Sequence, residues 1–125
     1  AFRALLQTIE SNDVIVYIEM DPRIRGKLSG RMQWVVKTKE ARYVRVSINP
    51  ELSGAHLVST LAHELQHVAE VGQARTIVDE ATLAAFYRHV GTERRSHPGE
   101  WDTVAAQEKG DLVRRELAGY SGGLR

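Results

Sequence analysis

Leu57-Val58-Ser59-Thr60-Leu61-Ala62-His63-Glu64-Leu65-Gln66-His67-Val68-Ala69-Glu70-Val71-Gly72 sets two histidines and a glutamate inside an apolar-periodic run with no helix breaker before its terminal glycine. Leu57, Val58, Leu61, Ala62, Leu65, Val68 and Ala69 follow the i, i+3, i+4, i+7 spacing of a helix packed along one broad side. Ser53 is the expected N-cap and Gly72 the expected stop. On such a helix His63 and His67 lie one turn apart, with about 6 Å of rise between them, so both rings can turn toward one cation. Zinc is the expected ion, with ring nitrogens at about 2.0–2.1 Å. Glu64 follows His63 by one position and cannot chelate with the pair. It reaches the space beside the ion where a water would sit, which makes it a base and not a ligand. Two imidazoles in a partly buried stripe carry a desolvation cost that coordination removes.

A third protein ligand is needed, and elimination narrows it. A metzincin-type extension requires glycine three residues after His67 and histidine three after that, but Glu70 and Gln73 stand there. The chain has no cysteine, so a thiolate is excluded. A downstream carboxylate remains, completing a His, His, carboxylate set. Glu70 shares the helix with both histidines and is expected to support the site from behind or to face solvent. Glu80 opens a further helix after a short connection that favours an antiparallel neighbour. Asp102, in Trp101-Asp102-Thr103-Val104, opens the last helix. Both sit where carboxylates favour the helix dipole in any case. Glu80 is preferred because glutamate is the usual carboxylate ligand in the thermolysin type of site, and Asp102 is the alternative.

Through His63, Glu64 and His67, and more weakly through Asp79-Glu80-Ala81, the chain resembles small zincin metallopeptidases of the gluzincin group. Residues 50–117 also resemble small bacterial proteins with an HELQH core. The resemblance implies a zinc-dependent hydrolase in which His63 and His67 are ligands, Glu64 is the catalytic base, and a metal-activated water attacks a peptide carbonyl of a peptide or protein substrate. Gluzincins of the thermolysin type place an aspartate one turn beyond the third ligand; one turn beyond Glu80 this chain has Ala84. A non-catalytic binding or interaction module derived from a zincin is the competing reading, supported by the small size and the open third ligand.

The first fifty residues read differently. Phe2, Leu5, Leu6 and Ile9 have helical spacing, and Ser11-Asn12-Asp13 ends that helix. Val14 to Ile18 reads as a buried strand ended by Asp21-Pro22, and Gly26 to Lys37 and Ala41 to Asn49 read as two further strands joined near Thr38-Lys39-Glu40. The order is α+β: an N-terminal helix and a three-stranded sheet, then a long helix carrying the site and two further helices. Residues 1–118 are expected to form one zincin-like domain and 119–125 a flexible tail. The Gly26 to Asn49 hairpin is a candidate edge for an extended substrate.

At 125 residues the chain has no room for a second lobe, so substrate is expected to meet a shallow groove. Seventeen basic against sixteen acidic residues leave a net charge of +1, which gives no field for nucleic acid, and Arg94-Arg95 and Arg114-Arg115 read as solvated pairs. No apolar run is long enough for a membrane span. Missing cysteines fit either redox compartment. A start at Ala1 without a signal segment leaves the location open; a bacterial exported or envelope-associated protein lacking its targeting segment is one reading. The Gly91 to Glu100 connection is a candidate border of the metal opening. His56 lies about 10 Å along the helix from His63, too far for one site, and is assigned to the groove wall or surface. Tyr87, His89, His97 and Tyr120 are candidates for a fourth ligand or an oxyanion donor, with Tyr87 first.

Overall fold

The computed structural model describes residues 1–93 and 101–123. Four helices and a three-stranded mixed sheet make a single small α+β domain. Helix α1 (Phe2–Glu10) leads into strand β1 (Val14–Met20), followed by β2 (Gly30–Lys37) and β3 (Arg42–Ile48). Helix α2 (Gly54–Gln73) carries the two histidines, α3 (Glu80–Val90) follows, and two short strands, β4 (Thr92–Glu93) and β5 (Trp101–Asp102), precede α4 (Val104–Gly123).

The sheet order is β1-β3-β2, with β3 in the middle. It pairs parallel with β1, Val14 opposite Arg42 through Met20 opposite Ile48, and antiparallel with β2. The β2–β3 turn falls where Thr38 is expected to sit: its amide donates to the Ala41 carbonyl at 2.8 Å, and its hydroxyl oxygen accepts from the amides of Glu40 and Ala41. Period-two alternation turns Val44, Val46 and Ile48 to one face, where all three are buried with Leu65, Val68 and Ala69 of α2 and Leu5 and Ile9 of α1. Each of the valine, leucine and isoleucine side chains contributes about 1.5–3 kcal/mol on burial, enough in sum to hold a helix that also buries polar groups.

Helix α2 is covered on more of its circumference than one apolar stripe requires, because α4 packs along it opposite the sheet. Val71 and Gly72 are buried besides the expected stripe, and so are Glu64 and His67. Ser53 is the N-cap residue, and the helix runs one residue past Gly72 to Gln73. Helix α3 starts at Asp79, whose carboxylate accepts from the Thr82 amide at 2.8 Å while the Thr82 hydroxyl accepts from the Asp79 amide, a reciprocal capping box.

One expectation about the end of the chain needs adjusting. The last helix begins at Val104, so Asp102 lies in β5 and not in the first turn; Thr103 occupies the capping position, its hydroxyl accepting from the Ala106 amide at 3.1 Å. That helix runs to Gly123. Arg94, Arg95, His97 and most of the Gly91 to Glu100 connection lie outside the described residues, as do Leu124, Arg125 and the side chain of Tyr120. No helix among the described residues is long and apolar enough to cross a membrane.

Candidate metal centre

One turn of α2 brings the two imidazoles together as the spacing requires, with ring centroids 5.2 Å apart and planes at 75°. The carboxylate that joins them is that of Asp102. One donor atom from each of His63, His67 and Asp102 lies within 4.8 Å of the others, and His63 Nε2 is 3.0 Å from Asp102 Oδ1. This set could hold a metal ion, and two imidazoles with a carboxylate are donors that suit a borderline dication.

Glu80, the preferred third ligand, is exposed in the first turn of α3 and does not belong to the group. The reason is helix rise. The short connection does return the chain toward α2, but the α3 side chain that reaches His67 is Tyr87. Glu80 lies seven residues earlier, about 10 Å back along the α3 axis. Asp102, the alternative named for this role, is the carboxylate that lies with the two histidines.

Asp102 is brought in by close backbone approaches. β5 lies against β4, with Thr92 opposite Asp102, directly beyond Gly91 at the end of α3. A Cβ at Gly91 would stand 2.6 Å from the Asp102 carbonyl oxygen, so a side chain there would displace the strand that carries Asp102. Gly110 does the same for the helix pair: a Cβ there would meet the Ser59 carbonyl at 3.1 Å and the His63 Cβ at 3.5 Å. Asp102 itself is held by Gln107, whose Nε2 donates to Oδ2 at 2.9 Å, and by the Thr103 amide, which donates at 3.2 Å to Oδ1, the oxygen 3.0 Å from His63 Nε2.

Behind the histidines stands Glu70. His67 Nδ1 donates to its Oε1 at 2.9 Å, Tyr87 OH donates to the same oxygen at 3.1 Å, and Thr103 Oγ1 donates to Oε2 at 2.8 Å. Burial alone would raise the Glu70 pKa, but the hydrogen bonds from His67, Thr103 and Tyr87 outweigh it and hold the carboxyl below its ordinary value. An ionised Glu70 can only accept, so Nδ1 carries the proton of His67 and Nε2 presents its lone pair. That Nε2 is buried and has no hydrogen-bond partner among the described residues. A buried imidazole nitrogen aligned by one bond and left open at the other is what a metal ligand requires.

Tyr87, first among the expected oxyanion donors, is instead part of this support. It is 1% exposed, its hydroxyl donates to Glu70 and to the His67 carbonyl, and burial with the nearby charges of Glu70 and Glu64 pushes its pKa far up. Glu64 is 2% exposed and shares this neighbourhood. Thr103, Gln107, Gly91 and Gly110 were not singled out from the sequence; only Thr103 carried a signal, as a threonine directly ahead of a helical run.

His63 and Asp102 line an open groove of about 730 Å³, walled by residues 27–30 at the start of β2, by α2 from His56 to Thr60, and by α4 from Gln107 to Arg114. His56 is therefore a wall residue, as expected, and His67 and Glu64 lie behind the lining. His89 is exposed on α3 outside the ligand group. No protein-family model, curated protein or solved structure matches the chain.

Proposed function

We propose that this protein is a zinc-dependent peptide hydrolase in which His63, His67 and Asp102 hold the ion and Glu64 is the general base. The observation that carries the reading is the open Nε2 of His67, oriented by an ionised Glu70 and gathered with His63 and Asp102 at the head of a groove. A dication on such donors lowers the pKa of a water toward about 7 and polarises a carbonyl. The remaining work falls to the chain's own residues. Glu64, next to His63 and buried, takes the proton of the attacking water and returns it to the leaving amine. Gln107 keeps Oδ1 of Asp102 turned to His63, and Glu70 with Tyr87 and Thr103 keeps His67 in one tautomer. The groove is open enough for an extended peptide, with the start of β2 as one wall.

Zinc-loaded protein incubated with a mixed peptide library, with and without chelator and alongside Glu64→Gln, tests the assignment. Cleavage that stops with chelator and is absent from a Glu64→Gln protein still holding zinc is the expected result. Undiminished cleavage by Glu64→Gln would overturn the base. One observation favours a second reading, a binding module without turnover: the Tyr87 hydroxyl is committed to Glu70 and His67 and does not face a developing oxyanion. Bound zinc with no cleavage of any library member would favour that reading.

A further inference from the structure

The two edges of the three-stranded sheet are built differently. On β2 the register shifts between Trp34 and Val36, and Arg31 and Lys37 lie along the strand, devices that blunt an edge against pairing. β1 has none of them. Val14-Ile15-Val16-Tyr17-Ile18-Glu19-Met20 pairs with β3 without a register shift and contains no proline, lysine or arginine. Its single charge, Glu19, is drawn back over its own sheet, accepting from Ser47 Oγ at 3.1 Å with Arg45 Nε 3.9 Å away. Ile15 (43%), Tyr17 (56%), Ile18 (50%) and Met20 (48%) remain exposed, on both faces of the strand because their positions alternate. Among the described residues the sheet ends at β1.

We infer that β1 is a self-pairing edge, onto which a second copy of the chain adds its own β1, antiparallel, across a two-fold axis. The strand is complementary to itself. With the axis at Tyr17, each Tyr17 meets its counterpart, Val16 meets Ile18, Val14 meets Met20, and Ile15 meets Glu19. The two Glu19 side chains are then four positions apart, about 13 Å along the strand, so no like charges face each other. A partner strand with charges of its own would find none free on β1 to pair with. Tyr17 already stacks on Tyr43, centroids 6.1 Å apart and planes at 15°, and the pairing extends that stack into an aromatic ladder. The groove adjoins β2, at the opposite edge, and stays open in the pair. Closed two-fold pairing also explains why so apolar an edge need not propagate into fibres.

Sedimentation velocity from micromolar to millimolar concentration tests this. The expected mass rises from 14.0 kDa toward twice that value. Ile18→Lys and Tyr17→Lys, both at exposed positions, should weaken dimerisation about tenfold or more with an unchanged circular dichroism spectrum. Val78→Lys, at an exposed apolar position in the connection between α2 and α3, should leave it intact. A 14.0 kDa species at every concentration, a dimer indifferent to both β1 variants, or equal loss with Val78→Lys would overturn the inference.

Discussion

Helix α2 carries two buried polar clusters, one at its C-terminal end and one at its middle, and they are completed to different degrees. At the end, Arg42 enters from β3, only 2% exposed. Its Nη1 donates to the carbonyls of Val71, Ala74 and Ile77 at 2.9, 3.0 and 3.1 Å, its Nη2 to Gly72 at 3.0 Å, and its Nε and Nη2 to the Asp13 carboxylate. The last carbonyls of a helix have no partner of their own, and here one guanidinium supplies several of them while its charge complements the helix dipole. In the middle, the His67 side chain is equally buried, yet its Nε2 has no hydrogen-bond partner among the described residues. Burying polarity costs free energy in both places. Where every donor is matched, the cluster fixes the fold; where an aligned imidazole nitrogen has no such match, the cluster is a candidate site.

The contrast is broken most severely by removing a donor from the open cluster. His67→Ala should abolish stoichiometric zinc binding while the protein stays folded, measured by metal analysis after dialysis. Arg42→Met should do the reverse. It removes the guanidinium from the Gly72 and Ile77 carbonyls and from the Asp13 carboxylate, and is expected to cost about 3 kcal/mol in urea denaturation, leaving zinc affinity within a factor of a few in the folded protein. The same pair gives a pH signature. Hydrogen bonds from Arg42, against a smaller effect of burial, hold the Asp13 pKa below its ordinary value of 3.8. Its contribution to stability is therefore complete above 3.8 and lost as pH falls through the lowered folded value, and Arg42→Met should remove that part of the acid dependence.

Glu70→Gln sharpens the comparison from the other side. It keeps the shape of the group behind His67 but removes the charge that fixes the tautomer, and should weaken zinc binding by about 10–100-fold in a competition titration. The smallest effect is expected at a cap belonging to neither cluster. Asp79→Ala should cost about 1 kcal/mol of thermal stability and leave the metal unaffected, since α3 contributes Tyr87 to the site and not its first turn.

What the sequence disclosed follows from range. The α2 helix, its Ser53 cap and the His63–His67 pairing are local, readable from spacings of three and four residues, and so are the positions of the strands and the Thr38 turn; the burial expected of β1 is not, because that strand lies at the sheet edge with most of its side chains exposed. Asp102 could be named as a candidate but not chosen over Glu80, because the choice depends on how far α3 travels before it meets α2 and on the approach of β5 to Gly91. Glu70 could be placed behind the site from its position on α2, but its partners Tyr87 and Thr103 lie 17 and 33 residues away, and no periodicity connects them. Arg42 was unreadable for the same reason: an arginine in a strand reads as a surface residue until the end of a helix arrives over it.

Calorimetric titration of zinc into the wild-type chain, Asp102→Ala and Glu80→Ala tests the central claim most directly. One ion per chain should bind to the wild type and to Glu80→Ala with equal affinity, and Asp102→Ala should lose that binding. Undiminished binding by Asp102→Ala, or no stoichiometric binding by the wild type, would contradict the account.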